Sequence, residues 1–464
     1  MIKTILYTVN KQSGKRGKIM KIVQKMVACI CAVCFLSSFV GCSSAPSSAP
    51  SSTAAAVSSG APEAAGETTL SVWCWSPNED LLQTAAQLYN AAGKGTVKLD
   101  ITVMALADVR TKLATITSSN DFSQLPDVIL MQDSSIPMLV KSYGDAFTGL
   151  SAYGIDTAAF DQAKIAWDTY EGELYGIPFD SSVGVACYRT DYLAEAGYTI
   201  ADMNDITWDE FRQIGTEVLA KTGHPLISVP NDSTLVSMML MSAGGSLFQE
   251  DGTPNLNDNE KLNTVVELYA SLVQSGAVKV VTNWDEYMSS LNAGTSAGTM
   301  NGMWIMNSCK DGTDQAGNWG VANLPAVPGI AGAGHYAASG GSSWMVTSNC
   351  ADPAAAVDFL MSAMGGELSD SFYAQILEAS NYIAAYLPTA GSADVYGRED
   401  AFFGNQKVFE ILGSYVAKMP SCNTSAAYDE TQDALMVAVT NVLNGADLQR
   451  ELDAAQATVA FISG

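Results

Sequence analysis

Between residues 70 and 131 the spacing of apolar positions switches back and forth between that of a strand and that of a helix. LSVWCW at Leu70–Trp75 is a strand. Ser76-Pro77-Asn78-Glu79 opens a helix running to about Ala92, with Ser76 able to cap it, Pro77 at the tolerated first position and Glu79 in the acidic first turn. Val97–Val103 is a second strand and Val109–Thr117 a second helix. Asp127–Met131 is a third strand, ending in Gln132-Asp133-Ser134. Strand, helix, strand, helix, strand is the order of a doubly wound α/β sheet, in which ligands bind outside the carboxyl ends of the strands. Trp75, Glu79, Asp133 and Ser134 stand at such ends. Trp73 and Trp75 flank Cys74, which points both to one side with Trp75 outermost, either against a ligand or at the rim of the core.

YGIPFD at Tyr175–Asp180 is a strand that stops at a proline. Pro178 has no N–H and cannot sit within a ladder, so the chain must leave one sheet near it. Val183–Tyr188 is then apolar enough for a strand buried on both faces, and Asp191–Gly197 is a short helix ending at a glycine suited to a left-handed cap. Two lobes joined by a crossover fit this stretch, and so does one domain with a bent strand. Phe179 and Asp180 lie at the joint. Trp319–Pro325 is another strand stopped by proline, which makes Pro325 a second crossing, and a third is expected near Gly365-Gly366. The lobes so defined are 69–178 with 320–366, and 179–319 with 367–464. Thr207 and Glu210 form a capping box ahead of the stripe Phe211, Ile214, Val218 and Leu219, so Trp208 packs rather than binds. Helices close the chain over 406–417, 429–444 and 446–459.

Length and charge narrow the class. The 464 residues allow two or three domain-sized cores. Seven of the 23 Lys and Arg fall in the first 42 residues, which hold no acid, leaving 16 bases against 48 acids in the remainder. A surface this acidic argues against nucleic-acid binding and against direct adsorption to an anionic membrane. Met26–Val40 is a run of fifteen residues, apolar apart from Cys and Ser, behind the basic segment. That is the pattern of a secretory signal peptide over 1–41, with Met20 as an alternative start to Met1. The run closes on Phe39-Val40-Gly41-Cys42, which resembles the lipobox of bacterial lipoproteins, although Phe39 stands where that family usually has Leu. The resemblance implies cleavage before Cys42 and a diacylglycerol on it; an ordinary signal peptide beside a chance cysteine is the alternative. The Ser-, Ala- and Pro-rich stretch that follows, 42–68, cannot bury a core and is a flexible tether. Beyond it Cys74, Cys187, Cys309, Cys350 and Cys422 are odd in number with no CxxC pair, so no zinc spacing or disulfide framework is present. No metal and no cofactor is expected.

Seven blocks stand in a telling order: LPDVILMQDS at 125–134, YEGELYGIPFDSSVGVACYRTDYLAEAGY at 170–198, TWDEFRQIG at 207–215, AGTMNGMWIM at 297–306, WGVANLPAVPG at 319–329, GGSSWMVTSN with ADPAAAVDFL at 340–360, and VLNGADLQRELDAAQATV at 442–459. Together they resemble the extracellular solute-binding proteins of carbohydrate ABC importers, the family that includes maltose-binding protein, over essentially 69–464. The resemblance implies an α/β, two-lobed periplasmic-binding-protein-like fold, each lobe a sheet flanked by helices, joined by a multi-segment hinge. It implies a sugar or oligosaccharide in the interlobe cleft, ABC permease subunits as partners, a monomer, and no catalysis. With the lipobox it implies attachment to the extracytoplasmic face of the membrane through the lipid anchor only.

Sugar rings offer an apolar C–H face to tryptophan and a rim of hydroxyls to carboxylates, amides and backbone N–H groups. Trp75, Trp284, Trp304 and Trp344 lie at turns or element ends, unlike Trp167 and Trp208. By resemblance Trp304 and Trp344 line the cleft. Asp133 and Asp180 would accept hydroxyl hydrogen bonds, with Glu79, Ser134 and Phe179 beside them, and Gly340-Gly341 would let the ligand approach the backbone. Each could instead be core or hinge packing. A glycoside hydrolase would need two carboxylates at a set separation, which sequence alone cannot display. A Ser–His–Asp hydrolase is disfavoured by a chain with only His224 and His335 and no G-x-S-x-G elbow. A binder of peptides or other non-sugar solutes shares the fold and stays open.

Overall fold

The computed structural model of the chain describes residues 67–463, so the expected signal peptide, Cys42 and the expected tether as far as residue 66 lie outside the described residues, while Glu67 and Thr68, expected in the tether, already belong to a strand. Strands β1 (Glu67–Cys74), β2 (Thr96–Val103), β3 (Val128–Gln132), the short hairpin β4 (Thr169–Tyr170) and β5 (Glu173–Leu174), and β6 (Gly176–Asp180) come first. They are followed by β7 (Gly184–Arg189), β8 (Ile227–Pro230), β9 (Val278–Val281), β10 (Gly298–Gly302), β11 (Trp319–Ala322) and β12 (Ser342–Val346). One sheet has the order β2-β1-β3-β12-β6, and a second has β10-β7-β11. The parallel pair β8-β9 lies beside β10, where the Ala297 N–H donates to the Pro225 carbonyl at 2.9 Å.

The first sheet is covered on both faces, which explains its unbroken apolar runs. In β3, Val128 and Leu130 enter one core and Ile129 and Met131 the other. Trp344 and Val346 of β12 follow the first pair and Met345 the second. One face is packed by the helix Asn78–Ala91 with the helices Pro353–Met364 and Ser369–Ser380; the other is packed by Leu106–Ser119 and Ile136–Tyr143. In the second lobe Ala186 and Tyr188 of β7 point into a core built with the helix Trp208–Thr222 and the closing helices Tyr428–Leu443 and Leu448–Ser463. The capping box at Thr207 and Glu210 is formed, and Trp208 is buried against Phe211.

Several expectations change. Ser76 does not cap the first helix: its hydroxyl donates to Glu79 Oε1 at 2.8 Å and Pro77 takes the cap position. β1 ends at Cys74, so alternation breaks there: Trp73 lies buried with Lys112 over its ring, whereas Trp75 packs against the opposite core. β6 runs through Pro178 to Asp180, because it is the edge strand and a missing N–H costs nothing on its open side. Finally, β11 pairs with β7, so residues 319–322 belong to the second sheet and Pro325 is not a crossing.

The crossings lie elsewhere and touch each other. Residues 180–184 leave the first sheet antiparallel to 337–342, which return to it: the Gly184 N–H donates to Ala337 at 2.7 Å and the Ser339 N–H to Ser182 at 2.8 Å. The third crossing is not at Gly365-Gly366, which turn between two helices of the first lobe, but at 381–386. There the Ser181 N–H donates to Ile383 at 2.8 Å and the Ala385 N–H to Phe179 at 3.1 Å. Three segments bonded side by side make the joint between the lobes.

Candidate functional site

Sequence places polar side chains at strand ends, and the joint gathers them into one cleft. Its centre is the turn Gly340-Gly341, with φ of +98° and +110°, a region that L side chains avoid. A Cβ on Gly341 would collide with Asp133 Oδ2, so only glycine lets the turn lie this close to β3.

On one side of the turn a cavity of about 290 Å³ opens between the lobes. The first lobe lines it with Asp133, Ser134 and Trp167, and the second with Ser233, Ser237, Met238 and Phe248. Tyr428 and Gln432 complete it from the closing helix Tyr428–Leu443. Trp167 and Tyr428 come from opposite lobes and meet edge to face, centroids 4.9 Å apart at 82°. Gln432 Oε1 accepts from the hydroxyls of both Ser233 and Ser237. Two further contacts tie the lobes beside the cavity: the Thr424 hydroxyl donates to the Ala166 carbonyl at 3.2 Å, and Arg110 lies 3.4 Å from Asp429.

On the other side of the turn stand Trp284 and Trp304, with centroids 5.8 Å apart and an interplanar angle of 31°. They remain 49% and 38% exposed, among the few large apolar side chains left open on the described surface. Trp304 Nε1 lies against the Gly340 corner, which places the pair at the cleft. Nearby, the Asn381 amide of the third crossing donates to Asn307 Oδ1 of the helix that follows Trp304.

A buried ionic cluster lies behind the wall. Lys164 Nζ donates to Asp133 Oδ1 and Oδ2 at 2.7 and 2.6 Å and to the Ser342 carbonyl at 2.7 Å. The Ser343 hydroxyl lies 3.0 Å from Asp133 Oδ1 and 2.9 Å from Asp168 Oδ2. A hydroxyl has one proton, so it cannot donate to both carboxylates at once. A protonated Asp168 resolves this by donating to Ser343, which donates onward to Asp133. Burial pushes the Asp168 carboxyl up to about 6, against the pull of Lys164, and raises Asp133 as well, so this proton is held below about pH 6 and is given up above it. Burial opposes the charge on Lys164, but Asp133, Asp168 and Asp180 raise it above the usual lysine range, so the ammonium stays charged. Asp180 Oδ1 accepts from the Ser342 N–H at 2.9 Å and hydroxyl at 2.6 Å.

These contacts sort the expected residues. Ser134 lines the cavity, and Trp284 and Trp304 are open. Trp75 and Glu79 are half-buried at the end of β1, next to Asn78; Asn78 and Asp180 both act on the Tyr382 hydroxyl at the third crossing. Trp344 is not a cleft residue: it is fully buried, packed on Phe179 with centroids 5.9 Å apart, because its position in β12 points into the first core. Phe179 is likewise core, surrounded by Trp344, Phe372, Tyr373 and Tyr382. Asp133 and Asp180 reach the joint but are held by Lys164 and Ser342 rather than free. Trp167, set aside in the sequence, is on the cavity wall. Asp161 caps the helix Gln162–Asp168 that carries Trp167.

The sequence profile of the bacterial extracellular solute-binding proteins matches residues 84–395. A lactose-binding protein of Rhizobium radiobacter is 34% identical over 84% of this chain and 91% of its own length. An arabinooligosaccharide-binding protein of Halalkalibacterium halodurans is 27% identical over 57% and 60%. The fold is similar to that of the sugar-binding protein MalE from Xanthomonas citri, with a TM-score of 0.70 at 19% identity over 85% of this chain and 98% of that one. With the two lobes and their cleft, these matches identify the chain as a member of the bacterial extracellular solute-binding protein family.

Proposed function

We propose that this protein is the substrate-capturing component of an ABC importer for a sugar or oligosaccharide, which it holds between its lobes and hands to membrane permease subunits. The observation that carries the reading is the pair of open indoles, Trp284 and Trp304, beside a cavity of hydroxyls, amides and further aromatic rings. Aromatic faces suit the C–H face of a pyranose, and Ser134, Ser233, Ser237 and Gln432 suit its rim. Trp75 and Glu79 extend the same cleft from the end of β1. The sugars named for the relatives, lactose and arabinooligosaccharides, point the same way. Asp133 and Asp180 are engaged by Lys164 and Ser342, an arrangement that favours capture over proton transfer.

A sugar array read by thermal shift tests this, with each stabilising sugar recovered and analysed afterwards. A binder is stabilised by its ligand and returns it intact. Stabilisation by no sugar would overturn the reading, and accumulation of product sugars would replace it with a hydrolase.

The mature protein is a monomer anchored through a lipid on Cys42 and carried off the membrane by the tether. Cys42→Ser is expected to be released or left unprocessed. Unchanged lipid labelling of that variant would remove the anchor from the account.

A further inference from the structure

The cavity wall is nearly free of charge. Among the described residues lining it Asp133 is the one carboxylate and there is no Lys, Arg or His, and both Asp133 oxygens are taken by Lys164. That pair is itself buried, with side chains 6% and 2% exposed. Behind it stand three more carboxylates, Asp161, Asp168 and Asp180, each turned to a serine hydroxyl: Ser181, Ser343 and Ser342. Lys164 is the cation within hydrogen-bond reach of this group, and its one positive charge is already committed to Asp133, which leaves none to compensate the carboxylates behind it as they ionise, Asp168 above about pH 6. At the aromatic side of the turn the first helical turn beside Trp284 carries Asp285 and Glu286, and the cation there, Lys279, is committed to Glu286 at 3.6 Å.

We propose that the cleft takes uncharged saccharides and rejects anionic ones, such as uronic acids and sugar phosphates. This rests on the sugar-binding reading above and narrows it. An anionic group entering the cavity would lose its water, find no uncommitted cation on the lining, and face the field of the buried carboxylates. Rejection by an unpaired like charge is the repulsive half of specificity. Capturing Lys164 for itself would not help the ligand, because that would strip Asp133 of its partner inside the wall. A cationic amino sugar meets a favourable field but no uncommitted carboxylate, and ranks between the neutral and the anionic forms.

The test uses the unmodified mature protein and calorimetric titration with lactose, maltose, cellobiose and arabinotriose, adding for each disaccharide the derivative with a carboxylate at C6 of the non-reducing ring. A neutral sugar is expected to bind and its uronic acid to bind about 100-fold more weakly, the scale of an uncompensated like charge. A ratio below tenfold, or an acid that binds where its neutral parent does not, overturns the proposal while leaving sugar binding intact. Binding by none of the probes, neutral or acidic, overturns the sugar reading and this proposal with it.

Discussion

Replacing Asp168 with Asn perturbs the joint in a way that can be worked out. The carboxyl is buried, with one oxygen on Ser343 and the other, Oδ1, without a partner among the described residues. Its folded value of about 6 against an ordinary 3.8 means the native state holds this proton more tightly than the unfolded chain. Stability from this group is therefore complete below about pH 4 and is lost as pH rises towards 6. The full loss is about 2.2 pKa steps at 1.36 kcal/mol each, or roughly 3 kcal/mol. About 1 kcal/mol of it is already gone at pH 4.5, so about 2 kcal/mol remains to be lost by pH 7.5. Asn cannot ionise, and its amide can donate to Ser343 as the protonated acid does. Urea unfolding of parent and variant at pH 4.5, 5.5, 6.5 and 7.5 isolates the effect, because other groups cancel in the difference. The stability of Asp168→Asn relative to the parent is expected to climb by about 2 kcal/mol across that range. A flat difference, or one that falls with pH, would refute the shared-proton arrangement at Ser343.

Three substitutions separate binding from packing. Trp304→Ala is expected to stay folded and lose roughly 1–3 kcal/mol of sugar binding by calorimetry, since its indole is open at the cleft; unchanged affinity would make it a mere surface residue. Trp344→Ala is expected to lose roughly 3–5 kcal/mol of stability in urea, as for a large aromatic removed from a core, and a stable variant with weakened binding would return Trp344 to the site. Gly341→Ala is expected to cost roughly 1–3 kcal/mol in the same assay from its positive φ alone, and more from the collision with Asp133; a neutral effect would mean the turn is not constrained as described.

The fold was legible where local pattern decides it. The strand–helix alternation from β1 to β3, the box at Thr207 and the buried run at 183–188 all form as their periods dictate. The crossings were legible in number but only one in place. Pro178 could stay in β6 because that strand is at an edge, and edge position is a property of the whole sheet. Gly365-Gly366 resembled a crossing because a helical turn and a change of lobe use the same glycine chemistry. The site was legible by residue type more than by residue. Trp344 and Trp304 both follow glycines, yet one falls on an inward strand position and the other after β10 has ended. Lys164 left no trace, because nothing local ties it to Asp133, 31 positions away.

A sugar held between two lobes should draw them closed. Ligand that touches both lobes is bound best by the closed form and shifts the population towards it. Small-angle scattering during a sugar titration measures this directly. The predicted result is a radius of gyration that falls saturably, with a midpoint matching the calorimetric affinity of the same sugar. A radius that stays constant through saturation would contradict capture between moving lobes, however tightly the sugar binds.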